Sequence, residues 1–331
     1  MTIDECNSTI SKVQDLLEQN TEWKQRYANY AEILNNQQYL DEIRKKKKNF
    51  HEWAPIYLYM TVSEAKRRML FSLRYLGQDV AKLKVGSRNQ DITISTAGFE
   101  EKNERDFGCV VKFDNCEWRS GKASDFRQHF FGHPERKENS RKKNEEHRLE
   151  SLLLTEFTKK IGAEKLIRHI QPVKLAGHAR FQMPTPLSAS NMKKLKYSNS
   201  KGGGIDIISR IGVGKATKLC IMEIKDAYES PTKVIQQGLA YAKFVRELLR
   251  SDSGEKWWKI FGFKGKPPSK IDFYVVCVMP SSSNNDTSIA GQILKAANDS
   301  DDTFNLHHMY FEEKDNVLTS IITSLNQCRV T

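Results

Sequence analysis

Asp206, Glu223 and Lys225 are the residues whose types and spacing could do chemistry. Glu223 and Lys225 end the run L219-C220-I221-M222-E223-I224-K225, which begins as a strand sealed inside a sheet. Along a strand, Leu219, Ile221, Glu223 and Lys225 share one face, and Cys220, Met222 and Ile224 share the other. A carboxylate and an ammonium on the end of a buried strand are costly to desolvate unless paired or put to use. Upstream, G202-G203-G204-I205-D206-I207-I208-S209 reads as a second strand, joined to the first through the glycine-bearing turn I211-G212-V213-G214-K215. A turn centred near Gly214 puts Asp206 opposite Glu223 or one diagonal step away, roughly 5–8 Å across the pair. Two carboxylates at that separation can share one divalent metal, and Mg²⁺ asks for only one or two while keeping several waters. The plainer alternative is a Glu223–Lys225 salt bridge at a strand end.

The elements around this pair follow from periodicity. Residues 232–250 predict a helix that carries Gln237 and Tyr241 four apart on one face, both able to reach towards the site. A helix over 145–161, a β-rich region from about 167, strands at 271–278 and 304–311, a short helix near 287–297 and a last helix near 314–327 complete this half. In the first half, Ile10, Val13 and Leu17, then Trp23, Tyr27, Tyr30 and Leu34, recur at helical spacing within residues 8–48. That stripe would pack on the chain's own core, or on a protein partner or second copy, with breaks at Asn20 and Asn35-Asn36. Residues 61–76 predict a helix capped by Thr61 or Ser63. Strands are expected at 80–85 and 91–96 around a turn at 86–90, and at 109–113. The polar stretch at about 132–145 reads as a linker. No internal repeat is present.

Taken together, Asp206, Glu223-Ile224-Lys225 and the helix carrying Gln237-Gly-Leu-Ala-Tyr241 resemble the active site of the PD-(D/E)xK nuclease superfamily. The Gln-x-x-x-Tyr helix is the mark of its RecB-type branch of recombination and repair nucleases. The resemblance covers roughly residues 145–312, and Ile205 stands where the eponymous proline would be. It implies an α/β fold: a restriction-endonuclease-like core with a mixed central sheet flanked by helices over 136–331, after an N-terminal α+β region over 1–135. It further implies that Asp206 and Glu223 ligate Mg²⁺ or Mn²⁺ with help from the Ile224 carbonyl. Lys225 would orient water or stabilise charge on the phosphate, and Gln237 and Tyr241 would position these groups. Related nucleases add an acid from the first core helix; Glu150, at the edge of the Leu149, Leu153 and Phe157 stripe, is the choice here, with Glu146 in reserve.

The implied activity is metal-dependent hydrolysis of phosphodiester bonds, in DNA above all, in restriction, phage defence or repair. The alternative is a catalytically inactive nucleic-acid-binding or assembly protein on the same fold. A formal net charge of +12, with basic runs at 44–48 and 136–143, suits a polyanionic partner. No run approaches the ~18–20 apolar residues that cross a bilayer. The acidic N-terminus reads as no secretory signal, and six scattered cysteines suit a reducing compartment, so a cytoplasmic location is expected. Cys109, Cys116, His129 and His133 approach a zinc-finger spacing. The six residues between the cysteines are too many for the usual knuckle, and zinc is not expected. Trp257-Trp258 reads as core, His307-His308 as strand residues without a partner at ligand spacing, His178 as a surface or core histidine, and Gly212-x-Gly214 as a turn.

Overall fold

A strand that is apolar on both faces needs a neighbour along each edge and a cover over each face. In the computed structural model, Lys218–Ile224 pairs antiparallel with Ile207–Ile211 on one edge and parallel with Asp272–Pro280 on the other. The structure describes all residues except 1, 37–54, 64–67, 85–92, 118–119, 133, 135–144, 161, 163, 176–178, 191–193, 200–201, 283–284, 327 and 331. Both basic runs, the turn at 86–90, Trp118, His133 and His178 therefore lie outside the described residues.

The chain is mixed α/β and divides into two units, and the division is discontinuous. The larger comprises residues 1–32, 152–173 and 182–331; the smaller comprises 33–151 and 174–181. A single cut near residue 135 is not what the chain does, because the N-terminal helices pack in the larger unit. Ile3–Gln19 opens with a capping box, in which Glu5 N–H donates to Thr2 Oγ1 and Thr2 N–H to Glu5 Oε2. Its Ile10, Val13 and Leu17 are buried, as are Trp23, Tyr27 and Leu34 of the following helix Glu22–Leu34. Trp23 and Tyr27 set their rings edge-on to Phe244 at 5.7 and 4.8 Å, and Trp257 Nε1 donates to the Tyr27 carbonyl. The stripe is thus spent on the chain's own core, not left open to a partner or second copy.

In the larger unit the central sheet runs, edge to edge, Ile293–Lys295, Thr303–Lys314, Asp272–Pro280, Lys218–Ile224, Ile207–Ile211 and Ile170–Pro172, with Val317–Thr323 added to Thr303–Lys314. The two parallel pairs in this sheet need crossovers, and the first is the helix Pro231–Arg250. Its last turn is anchored by Asp302, fully buried, which accepts from Arg246 Nε and the Ile271 N–H and pairs with Arg250. Burial alone would raise the Asp302 carboxyl, but those donors hold it below the usual carboxylate range.

Two expected helices of this unit are strands. Residues 314–327 turn back at Asp315-Asn316, both at positive φ (51° and 59°), into Val317–Thr323, which pairs with the strand before it. This is the two-residue hairpin geometry that Asp and Asn tolerate. Near 287–297 there is no helix either: Ile293–Lys295 pairs antiparallel with residues 303–305 after Gly291 turns the chain at φ 83°.

The smaller unit is built on a second sheet, in the order Cys116–Glu117, Thr93–Ser95, Gln78–Lys84, Arg68–Tyr75, Ile56–Ser63, Ala179–Phe181 and Lys174–Leu175. The helix expected over 61–76 is instead the close of one strand and all of the next, in register from Ile56↔Tyr75 to Ser63↔Arg68. Residues 64–67 lie outside the described ones; over 68–75, cross-strand packing overrode the expected helix. Residues 109–113 are not a strand; Phe113 is fixed to Thr96 by backbone and hydroxyl hydrogen bonds. The helices Glu100–Phe107 and Gly121–Phe131 supply Phe107, Phe126 and Phe130, which pack with Tyr75 and Phe113. Among the described residues no helix is long and apolar enough to cross a membrane.

The Tyr75–Gln78 turn passes through Leu76 and Gly77 at φ 45° and 76°, and a Cβ on Gly77 would lie 1.9 Å from the His147 carbonyl oxygen. Gly77→Ala is therefore expected to destabilise the protein by about 2 kcal/mol or more, from backbone strain plus the clash. Urea unfolding that leaves the midpoint in place would contradict this account of the turn.

Candidate functional site

The pairing register fixes the site. Ile207 faces Met222 and Ile208 faces Ile221, so Asp206, one step beyond, comes to the level of Glu223. Asp206 sits at a bend between the short strand Gly204–Ile205 and Ile207–Ile211, and its Oδ2 accepts the Ile224 N–H at 2.8 Å. Glu223 is 1% exposed. Its Oε1 accepts from Lys225 Nζ at 3.1 Å, and the same ammonium donates to the Ile224 carbonyl at 3.0 Å. Glu223 Oε2 is buried and no donor among the described residues reaches it; the side chain it meets is the Asp206 carboxyl, an acceptor like itself. Burial first, and then the neighbouring Asp206 charge, push the Glu223 carboxyl well above the usual carboxylate range, against the pull of Lys225. The arrangement is a close acid pair with one cation leaning on a Glu223 oxygen and on the Ile224 carbonyl. The expected salt bridge is present, yet it satisfies only half of the Glu223 carboxylate.

Gln237 and Tyr241 lie on one face of Pro231–Arg250, both buried, and Gln237 Nε2 donates to Tyr241 Oη at 3.3 Å. The Tyr241 hydroxyl feels the charges of Glu223 and Asp206, and burial above all raises its pKa. Two glycines make this approach possible. A Cβ on Gly238 would lie 2.9 Å from Val275 Cγ1 and 3.7 Å from Glu223 Cβ, so the helix comes close to the sheet only without one. A Cβ on Gly203 would lie 2.2 Å from Tyr241 Oη, while Gly203 bonds through its backbone to Leu187 and Thr185. A glycine inside a helix costs about 1 kcal/mol relative to alanine, which was the available sign that Gly238 has a packing role.

The remaining candidates have neighbours of their own. Glu150 belongs to the smaller unit, where it is buried and its charge reaches Tyr59 and Arg74, with His147 Nδ1 3.5 Å from its Oε2. His129 Nε2 lies 3.0 Å from the Phe107 carbonyl oxygen, and Cys109 is a buried thiol raised by that burial. Trp257 and Trp258 are buried, the latter stacked on Phe263 at 4.0 Å. Gly212 and Gly214 take positive φ in the turn between the two site strands.

His307 and His308 lie in a strand, with His307 Nδ1 3.1 Å from Ser324 Oγ and the His308 ring stacked on Tyr310. Burial depresses the His307 pKa to about 4. The unfolded chain then binds the extra proton from about pH 6.5 downward, so this group's contribution is intact above that pH and is lost towards pH 4. His307→Gln is expected to flatten the fall in stability between those values by on the order of 2 kcal/mol. Equal pH slopes for both proteins in denaturant titrations would refute it.

Among the described residues, no three His, Cys, Asp or Glu side chains gather around one point that could hold a metal ion. What the site offers a cation is two carboxylates and a carbonyl, the donor class hard divalent ions accept. Comparison with known proteins returned no matching family model, no matching curated protein and no matching solved structure.

Proposed function

We propose that the chain is a divalent-metal-dependent nuclease that hydrolyses phosphodiester bonds, in DNA above all, on a restriction-endonuclease-like core. The observation that carries this reading is the buried Glu223 Oε2, which meets the Asp206 carboxyl and no donor among the described residues. A buried carboxylate oxygen left without a donor is costly, and a cation would relieve it. Asp206, Glu223 and the Ile224 carbonyl are the groups that would hold Mg²⁺ or Mn²⁺. When bound, such an ion polarises a phosphoryl oxygen and acidifies a coordinated water.

The chain's own residues do the rest. Lys225 brings a positive charge beside the acid pair, where negative charge on a phosphate would grow. Gln237 and Tyr241 form a hydrogen-bonded couple that can orient that ammonium, a water or a phosphate oxygen. Glu150 is the further acid assigned by resemblance. The net charge of +12 favours a polyanionic substrate, and restriction, phage defence or repair in the cytoplasm is the setting that suits such an enzyme.

A second reading has its own support: Lys225 Nζ already spans Glu223 Oε1 and the Ile224 carbonyl, two of the oxygens a metal would use. A protein in which that ion pair is permanent would bind nucleic acid, or assemble with other proteins, without cutting. The two readings separate when plasmid, linear duplex, single-stranded DNA and RNA are incubated with Mg²⁺ or Mn²⁺. The nuclease is expected to cleave at least one of them, and Glu223→Gln and Lys225→Ala to lose about 100-fold or more of the rate. Metal-dependent cleavage no greater than that of the variants on every substrate would leave the binding reading in its place.

A further inference from the structure

Arg180, in the smaller unit, is 2% exposed, and its position between Ala179 and Phe181 in a short strand beside Ile56–Ser63 leaves it little freedom. Its guanidinium lies over the Tyr57 ring, with Cζ 3.7 Å from the centroid, and Nη1 donates to Tyr59 Oη at 3.3 Å. Nε and Nη2 are both buried and have no hydrogen-bond partner among the described residues. Those two atoms form one edge of the planar fork, the edge that takes two oxygens of a carboxylate or phosphate side by side. A buried guanidinium with that whole edge unfilled is among the most costly arrangements a folded chain can keep, unless something occupies it.

The neighbours do not supply the missing oxygens. Arg74, which also lies over the Tyr59 ring at 4.3 Å, is paired with Asp79 at 2.7 Å. Glu150 is buried and its charge is felt at Tyr59, as is that of Arg180, but its Oε2 is directed to His147. Asp79 balances Arg74, and Glu150 stands near Arg180's own partner tyrosine. The local balance therefore favours a singly charged anion over a dianion.

We propose that the Nε–Nη2 edge of Arg180 is a binding site for one singly charged oxyanion group that presents two oxygens, clamped by the guanidinium and flanked by Tyr57 and Tyr59. Phosphodiesters and carboxylates share this chemistry. The site belongs to the smaller unit, and it does not depend on the nuclease reading.

The test uses the full-length protein with dimethyl phosphate and acetate as separate probes, against chloride at constant ionic strength. Thermal unfolding and calorimetric titration are followed for wild type, Arg180→Lys and Arg180→Met. At least one probe is expected to raise the wild-type Tm saturably, and which one does so tells phosphodiester from carboxylate. Arg180→Met should weaken that probe on the order of tenfold or more, by loss of two charge-assisted hydrogen bonds. Without a probe it should unfold no more easily than wild type, since a buried unpaired charge has been removed. Arg180→Lys keeps the charge but not the fork; it provides a folded control if Arg180→Met fails, and should also bind more weakly. No saturable response to either probe, or responses equal in wild type and Arg180→Lys, would overturn the proposal.

Discussion

The closeness of the Pro231–Arg250 helix to the strand bearing Glu223 is the constraint on which the rest of the larger unit depends. Gly238 removes the side chain that would strike Val275, and the helix settles low enough to cover Glu223 and shut it from water. That single approach explains the raised carboxyl, the depth of Gln237 and Tyr241, and the need for a bare backbone at Gly203 beneath the tyrosine hydroxyl. At the far end of the same helix, Asp302 ties Arg246 and Arg250 to the start of the neighbouring strand, so the helix is fixed at both ends of its contact with the sheet. A helix pinned in this way cannot rise without exposing the acid pair and breaking the buried ion network together.

Energetically, the acid pair is the costly part of this unit and the apolar strand is what tolerates it. Leu219, Cys220, Ile221, Met222 and Ile224 are each at most 1% exposed. Burying side chains of this kind is worth roughly 1.5–3 kcal/mol apiece for the larger ones. That is ample to hold one carboxylate in an unfavourable place. Sites that do chemistry are commonly found where local stability has been given up in this way.

The Asp206–Glu223 juxtaposition was legible because a hairpin obeys simple arithmetic: once the turn lies near Gly214, every opposite pair follows. The N-terminal stripe was legible for the same kind of reason, since helical spacing of Ile10, Val13, Leu17, Trp23 and Tyr27 has one economical explanation. Residues 61–76 and 314–327 were not, because both are polar on one face at a spacing that helices and half-buried strands share. The deciding features were Leu76-Gly77 and Asp315-Asn316, two-residue turns at positive φ, and of these only Asp315-Asn316 carries a recognisable turn signal. The discontinuous division of the chain left no local mark at all. It comes from Trp23 and Tyr27 meeting Phe244 and Trp257, residues more than 200 positions away, and no window of sequence contains both partners.

That long reach bears on how the protein is made. The hydrogen bond from Trp257 to the Tyr27 carbonyl closes a loop of 230 residues. At ordinary elongation rates the ribosome needs on the order of ten to fifty seconds to go from one partner to the other. Throughout that interval Trp23 and Tyr27 lack the rings that cover them in the folded chain. Until the far helices emerge, that apolar face of the nascent chain is an adhesive surface that depends on shielding.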